Sequence, residues 1–225
     1  MPVDKKELEP FIKEALTKAK KRNFLESVDL AINFKGLDMK KSENRIEADL
    51  TLPKQVRRSP KICVIATGDL AVTAKEAGVN LVLGKADLEK FGVNKKEARK
   101  VANENDFFIA QADLMPLVGK FLGPSIAPKG KMPKPGTGIV TPGVNINQII
   151  EKLNKIVRIN MKKDPIIHVK IGDRDMKEED LAENAAAVIN FVEGKLERGK
   201  QNIRSVFIKT TMGEPVKIDI GGSKK

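Results

Sequence analysis

The chain has 225 residues with 42 Lys and Arg against 30 Asp and Glu, so its formal net charge is +12. One cysteine excludes an internal disulfide, no apolar run nears the roughly 18 residues that span a bilayer, and the N-terminus lacks a signal-peptide core. The sequence therefore predicts a cytoplasmic protein with no membrane contact, and its basic excess favours nucleic acid as the partner.

The N-terminal part predicts one helix and two half-buried strands. Apolar residues recur at helical spacing from Leu8 to Ala19, which predicts an amphipathic helix. Strict alternation follows at Val28–Phe34 and again at Ile46–Leu52. Alternating strands bury one face and expose the other, so an antiparallel sheet is expected here.

The middle of the chain follows a different pattern. Short, continuous apolar runs occur at Ile62–Ala66, Leu81–Leu83 and Phe107–Ala110. Helical patterns lie between them, at Asp69–Ala77 and Lys95–Asn103. Strands of this kind alternating with helices predict a parallel sheet that helices cover on both faces.

A long window in the middle contains no acidic residue. It runs from Leu114 to Ile150, is rich in Gly and Pro, and carries the lysines Lys120, Lys129, Lys131 and Lys134. Its composition predicts a backbone shaped by turns rather than by helix or strand, with a final helix at Asn147–Lys155. A rigid basic loop suits a phosphate-bearing partner, although a solvated connector can have the same composition.

The C-terminal part returns to the style of the N-terminal part. Ile167–Ile171 alternates, a helix follows to about Leu196, and Ser205–Thr210 with Val216–Ile220 predicts a closing hairpin. Acidic residues at Glu178–Asp180 favour a helix start rather than a metal site, since a helix N-terminus is positive.

These patterns predict two domains of different class. Residues 1–60 and 156–225 are expected to form an α+β domain with an antiparallel sheet. Residues 61–155 are expected to form an inserted, Rossmann-like, parallel α/β domain. The chain would cross between them near Ser59-Pro60 and near Ile156–Asn160, which makes a hinge plausible.

The hairpin is a second candidate site. No acid occurs from Arg198 through Met212, while four basic residues do. The hydroxyls of Thr210 and Thr211 suit phosphate or a ribose 2′-OH, Met212 offers an apolar contact, and Gly213 permits close backbone approach. An ordinary hairpin with a Gly-containing turn is the alternative interpretation.

Catalytic residues are sparse. The only histidine, His168, lies in a strand pattern with no identifiable partner, and Cys63 lies within an apolar strand. A phosphate-binding loop would need Gly at Ser125 and Ser or Thr at Met132, so that motif fails. We therefore expect no enzyme, no cofactor and no metal site.

Two separated motifs resemble one known family, the L-one proteins of the large ribosomal subunit. The first comprises Gly123-Pro124, Met132–Pro135, Gly136-Thr137 and Thr141-Pro142 in the acid-free window. The second is Thr211-Met212-Gly213 near the C-terminus. Both occur in the family's order, and the resemblance covers nearly the whole chain.

Smaller features agree with the same family. Phe24 precedes the first strand and Leu52-Pro53 ends the second, as in the family. Glu214-Pro215 after the second motif, and the Lys-rich composition, resemble its archaeal branch. The resemblance implies a split, two-domain, ribosome-bound protein of the lateral stalk.

The resemblance also implies partners and site residues. The partners would be 23S-type ribosomal RNA, transfer RNA leaving the exit site, and the protein's own messenger RNA, whose translation it would repress. Off the ribosome the chain would be a monomer. The RNA-binding residues carried over are Phe24, Ser205, Thr211, Met212, Gly213, Arg158, Lys162 and Lys163. In the inserted domain, the stalk loop would present Lys129, Lys131 and Lys134.

Two other functions remain open on sequence alone. One is a nucleotide-dependent enzyme that uses the parallel α/β unit. The absence of a complete phosphate-binding loop motif argues against this function. The other is a non-specific nucleic-acid chaperone, which needs only positive charge and not two ordered motifs.

Overall fold

The computed structural model describes residues 4–41, 44–56, 60–141, 145–162 and 164–219. Ser59, Pro142, Lys163 and Ile220 lie outside these residues. In chain order the strands are β1 (Ser27–Phe34), β2 (Ile46–Thr51), β3 (Ile62–Ile65), β4 (Leu81–Leu83), β5 (Phe107–Gln111), β6 (Ile139–Val140), β7 (Ile156–Met161), β8 (Ile166–Asp173), β9 (Ile203–Thr210) and β10 (Val216–Ile218). The α-helices are α1 (Lys5–Lys18), α2 (Asp69–Glu76), α3 (Lys85–Val93), α4 (Lys95–Glu104), α5 (Met115–Phe121), α6 (Gly123–Ile126), α7 (Ile146–Lys155) and α8 (Glu178–Lys195).

The chain divides into two compact units. The terminal unit comprises Met1–Arg57 and Lys155–Lys225, and the inserted unit comprises Arg58–Asn154. Each unit has its own cluster of buried apolar residues. That each folds as an independent domain with the predicted bounds stays a prediction.

The terminal unit contains a four-stranded sheet in the order β10-β9-β1-β8, with every neighbouring pair antiparallel. Alternate residues of β1, from Val28 to Phe34, are buried. Helix α1 packs against α8, β9 and β10, and α8 also packs against β8. The predicted antiparallel sheet, its two helices and its closing hairpin are therefore confirmed.

A two-stranded ribbon, β2 paired with β7, completes the terminal unit. The predicted crossing at Ile156–Asn160 falls on β7, because Arg158 and Asn160 alternate with apolar residues and give this segment a strand period. The Leu52 amide donates to the Lys155 carbonyl at 2.9 Å. The outgoing and returning segments of the chain therefore lie side by side at the end of this ribbon.

The inserted unit contains a parallel sheet in the order β4-β3-β5-β6. Its predicted strands and the helices α2, α4 and α7 are confirmed, whereas α3 and β6 were missed. Buried residues from β3 and β5 pack with apolar side chains of α3 to α6 in one core. The mixed fold class, antiparallel terminal sheet plus inserted parallel sheet, is as predicted.

The prediction of a turn-only backbone for the acid-free window was wrong in its first part. Residues Met115–Phe121 and Gly123–Ile126 are α-helical, and Ala127–Lys129 is a 3₁₀ turn. A proline sits in the first turn of each piece, where its missing N–H breaks no helical hydrogen bond. Gly130, with φ at 67°, then ends the run.

Candidate nucleic-acid interface

Within the described residues, one side of the four-stranded sheet packs against the helices and the apolar core, and the other side carries the more exposed side chains. We call this second side the open face. Its side chains are half-buried or exposed, and they meet in register across the strands. The rows across the sheet are Lys217, Phe207, Ala31 and His168; Lys209, Asp29 and Lys170; and Ser205, Asn33 and Ile166. The open face thus mixes cations, one aromatic ring, hydroxyl and amide groups.

Asp29 is the acid of this face. Burial raises the pKa of its carboxyl group, while the Ser27 hydroxyl and the charges of Lys209, Lys170 and His168 act in the opposite direction. The Ser27 Oγ lies 3.4 Å from both carboxylate oxygens. The folded protein therefore disfavours the ionised form of Asp29 relative to the unfolded chain, although two lysines are its cross-strand neighbours.

The segment Thr211–Gly213, which we call the Met turn, follows directly after the last residue of β9. The Thr211 amide donates to the Ser27 carbonyl at 3.0 Å, and the Ser27 amide donates to Thr211 Oγ1 at 3.0 Å. The two hydroxyl oxygens lie 3.0 Å apart. The Thr211 side chain, predicted to contact RNA, is thus exposed but also closes the end of the sheet.

Large apolar side chains stand exposed beside the Met turn. Met212 is 61% exposed, Phe24 53% and Leu25 45%. The Glu26 carboxylate accepts from the Met212 amide at 3.2 Å, so Phe24, two residues earlier, stands at the same corner of the terminal unit. Apolar surface exposed in this way is suited to stacking against a base or a sugar.

Position 213 requires glycine because Thr210 and Ala19 lie too close to leave room for a side chain. A Cβ at this position would overlap the Thr210 hydroxyl and would touch the Cβ of Ala19 at 3.5 Å. The Met turn is therefore packed against the end of α1, and a larger residue would push it outward. Gly213, predicted to permit close approach of RNA, is thus in close contact with the protein's own chain, and its contact with RNA stays a prediction.

Ser205 lies at the other end of β9 from the Met turn, about 17–20 Å away at strand spacing. Its hydroxyl accepts from the Asn33 side-chain amide at 3.0 Å and keeps a proton to donate. Of the predicted RNA-binding residues, Phe24 and the Met turn are brought together. Ser205 shares the sheet with them but marks its opposite end.

Arg158 and Lys162 belong to the ribbon rather than to the open face. Arg158 Nε lies 3.6 Å from an Asp49 carboxylate oxygen, and Lys162 Nζ lies 3.0 Å from Glu47. Both side chains thus face carboxylates of β2. Lys163, predicted with them, lies outside the described residues.

The three predicted stalk-loop lysines differ in their surroundings. Lys129 is exposed at the end of the 3₁₀ turn. Lys131 donates to the carbonyls of Ala102 and Asn105, at 3.0 and 2.7 Å, at the C-terminal end of α4. Lys134 is half-buried. Lys131 therefore stabilises a helix end, where a cation is favoured, instead of extending into solvent.

Sequence reasoning missed several residues of the open face. Asp29, Asn33 and Lys170 were not singled out, and Phe207 and Lys209 were noted only as part of the hairpin segment, although each occupies an outward position of an alternating strand. The alternation by which the strands were predicted also places these side chains on the solvent-exposed face. The pairing of strands, which sequence did not give, is what brings them into rows.

The residues considered for catalysis have no catalytic setting. Burial raises the pKa of the Cys63 thiol to about 12, which keeps it protonated and unreactive. His168 is exposed on the open face. Among the described residues, no group of three or more His, Cys, Asp or Glu side chains is placed to hold a metal ion. The described helices also include none that is long and apolar enough to cross a membrane.

Comparison with known proteins decides between the remaining interpretations. Residues 16–214 match the model of the ribosomal protein L1p/L10e family. The chain belongs to this family. It is 48% identical to the large ribosomal subunit protein uL1 of Methanobrevibacter smithii over 92% of this chain and 96% of that one. It is 46% identical to uL1 of Methanothermococcus thermolithotrophicus and 44% identical to uL1 of Thermococcus kodakarensis, each over the whole length of the relative and 96% and 97% of this chain.

These matches confirm the predicted family and its archaeal type. They also confirm that the chain is a ribosomal protein and not an enzyme, so a nucleotide-dependent activity of the parallel sheet is set aside. The Met turn and the whole acid-free window lie within the matched residues.

Proposed function

We propose that this protein is a component of the large ribosomal subunit and binds ribosomal RNA through the terminal unit. The contact surface is the Met turn, the exposed Phe24 beside it, and the open face of the sheet. Membership of a ribosomal protein family supports this, as do relatives named as large-subunit proteins.

One observation carries the assignment to the terminal unit. Exposed Phe24 and Met212 flank the paired hydroxyls of Ser27 and Thr211, and the neighbouring open face is rich in lysine. Apolar rings and thioethers stack on bases and sugars, hydroxyls bond to phosphate or 2′-OH groups, and lysines neutralise phosphates. These are the groups that read a folded RNA by shape.

The finer functions follow from the family resemblance. We infer that the ribosomal site lies on the lateral stalk, that the inserted unit helps exit-site transfer RNA to leave, and that a similar site on the protein's own messenger RNA permits repression. If one surface serves both RNAs, the messenger fragment and the ribosomal fragment compete for the protein. Simultaneous binding of both would argue against a shared surface.

Filter binding tests the central assignment. Affinity for fragments of large-subunit ribosomal RNA is compared with affinity for random RNA of equal length, over a series of salt concentrations. Phosphate contacts steepen the fall of log affinity with log salt, whereas hydroxyl, sugar and base contacts do not. We expect one fragment to bind more tightly and with a shallower slope. Equal affinities and equal slopes would favour a non-specific chaperone instead.

A further inference from the structure

An ion pair between half-buried Arg174 and buried Glu26 lies beside the Met turn. The Glu26 side chain is 1% exposed, and Arg174 Nη1 donates to its Oε2 at 2.6 Å. The Arg174 amide also donates to the Glu26 carbonyl at 2.9 Å. Neither residue belongs to the proposed RNA-contacting set, so the function described above does not account for this pair.

The other carboxylate oxygen of Glu26 is directed to the Met turn. Glu26 Oε1 accepts from the Met212 amide at 3.2 Å and from the buried Thr210 hydroxyl at 3.4 Å. The exposed side chain of Met212 therefore projects from a backbone amide that a buried carboxylate holds.

Arg174 makes a second set of contacts, to the end of α1. Its Nη2 donates to the Ala19 carbonyl at 2.8 Å, and its Nη1 donates to the Lys20 carbonyl at 2.9 Å. These carbonyls begin the segment 19–24, which carries exposed Lys20, Lys21 and Arg22 and ends at Phe24. One guanidinium thus holds both this segment and, through Glu26, the Met turn.

We propose that the Arg174–Glu26 pair is a positioning element that fixes segment 19–24 and the Met turn in the single geometry that specific RNA requires. The proposal rests on the proposed RNA-binding function and adds to it residues that touch no RNA. Its physical basis is the cost of a buried carboxylate. Without Arg174 the buried carboxylate loses its counter-charge, and its hold on the Met212 amide and the Thr210 hydroxyl is weakened.

Lysine is a poor substitute at position 174. The planar guanidinium presents several N–H groups in a fixed fork, and here it donates to one carboxylate and two carbonyls at once. An ammonium keeps the charge but cannot reach all three acceptors from one flexible stem. Arg174→Lys therefore separates positioning from charge, and a purely electrostatic role of Arg174 would survive this exchange.

The test compares four full-length chains: wild type, Arg174→Lys, Arg174→Met and the matched control Arg99→Met. Arg99 is exposed on α4 of the inserted unit and is no part of the proposed contact surface. Affinities for the selected ribosomal RNA fragment and for random RNA are measured at one salt concentration, alongside melting temperatures.

We expect Arg174→Met and Arg174→Lys to weaken binding of the ribosomal fragment by roughly tenfold or more, and binding of random RNA no more than Arg99→Met does. Hydrogen exchange of the Met212 amide supplies a readout that needs no RNA. It is expected to be slow in wild type and faster in Arg174→Lys, a variant that keeps the charge. Full affinity of folded Arg174→Lys, or unchanged Met212 exchange, would overturn the proposal.

The two proposals fail in different ways. If wild type itself does not distinguish the ribosomal fragment from random RNA, the proposed function fails. If wild type discriminates and Arg174→Lys discriminates equally well, only the positioning role fails. Should Arg174→Met unfold, Arg174→Lys and Glu26→Gln decide the question, because Gln keeps the size of the side chain but cannot accept from both Arg174 and Met212 as a carboxylate does.

Discussion

The terminal and inserted units each contain a basic segment without a single acid, yet the two segments fold in different ways. In the terminal unit, β9 turns alternate side chains outward from the sheet and ends at the Met turn. In the inserted unit, Met115–Phe121 and Gly123–Ile126 form short helices, and Lys131 contacts the end of α4. A gap in acidic residues therefore indicates unneutralised charge in the sequence, but the local carbonyls decide whether that charge reaches a partner.

The largest effect should come from removing the exposed apolar side chains at the corner of the terminal unit. Phe24→Ala and Met212→Ala are each expected to weaken binding of the ribosomal fragment by roughly 1–3 kcal/mol, the usual worth of one stacked base. Because both side chains are more than half exposed, the melting temperature should barely change. Filter binding and thermal melting measure the two quantities.

Val93 supplies the matched control for this prediction. It is 92% exposed and lies in the inserted unit, so Val93→Ala removes exposed apolar surface away from the proposed interface. Loss of affinity in Val93→Ala as large as in Phe24→Ala would remove the distinction between the two units.

Lys131→Met should destabilise the inserted unit without weakening RNA binding. Two carbonyls at the end of α4 lose a charged donor, which costs roughly 1–3 kcal/mol in the free energy of unfolding. Lys129→Met removes the same charge from an exposed position and should leave stability unchanged. Denaturant unfolding of both variants measures the difference, and equal stabilities would mean that the Lys131 contacts contribute nothing.

Thr211→Val should weaken RNA binding more than Lys129→Ala, although only the second removes a charge. If the Thr211 hydroxyl meets a 2′-OH in a desolvated contact with RNA, its loss leaves a polar group of that contact unpaired and costs roughly 1–3 kcal/mol of binding free energy. A single exposed lysine loses less, since charges are screened over about 8 Å at physiological salt. Thr211→Ser keeps the hydroxyl and should restore binding. If Lys129→Ala proves the weaker binder while both variants stay folded, the acid-free loop becomes the main RNA site.

The smallest effect concerns Asp29 and depends on pH. Its pKa in the folded protein is raised above the ordinary value of 3.8. Between the unfolded and the folded pKa, the folded state therefore binds more protons than the unfolded state. Stability therefore falls as the pH rises through this window, and the ionised group remains a cost above it. Asp29→Asn should raise the melting temperature at pH 7 by no more than a few degrees. The gain should shrink towards pH 4, and a loss of stability at pH 7 would contradict it.

Sequence periodicity identified most of the strands because each type of strand has its own pattern. Val28–Phe34 alternates since one of its faces is more exposed to solvent, and Ile62–Ala66 is continuously apolar since both of its faces are buried. The motif residues of the Met turn were likewise visible. What periodicity could not give is pairing in space, such as Asp29 between Lys209 and Lys170, or Arg174 behind Glu26 148 positions away.

The acid-free window failed for a related reason. Proline and glycine predicted turns, but Pro124 occupies the first turn of a helix, a position that proline favours. Lys131 looked available because no acid lies nearby in sequence. Its acceptors are backbone carbonyls at the end of a helix. Every residue has a backbone carbonyl, so amino-acid composition cannot show which carbonyls will accept a hydrogen bond from a lysine.

Separation of the two units tests the central claim most directly. Because the Leu52 amide bonds to the Lys155 carbonyl, a short glycine-serine linker can join Val56 to Lys155 and omit the inserted unit. Circular dichroism and melting first establish that this chain folds, and filter binding then compares it with the full chain and with the inserted unit alone. We expect the joined terminal unit to keep most of the affinity for the ribosomal fragment and its preference over random RNA. If the inserted unit carries that affinity instead, the account of the interface is wrong.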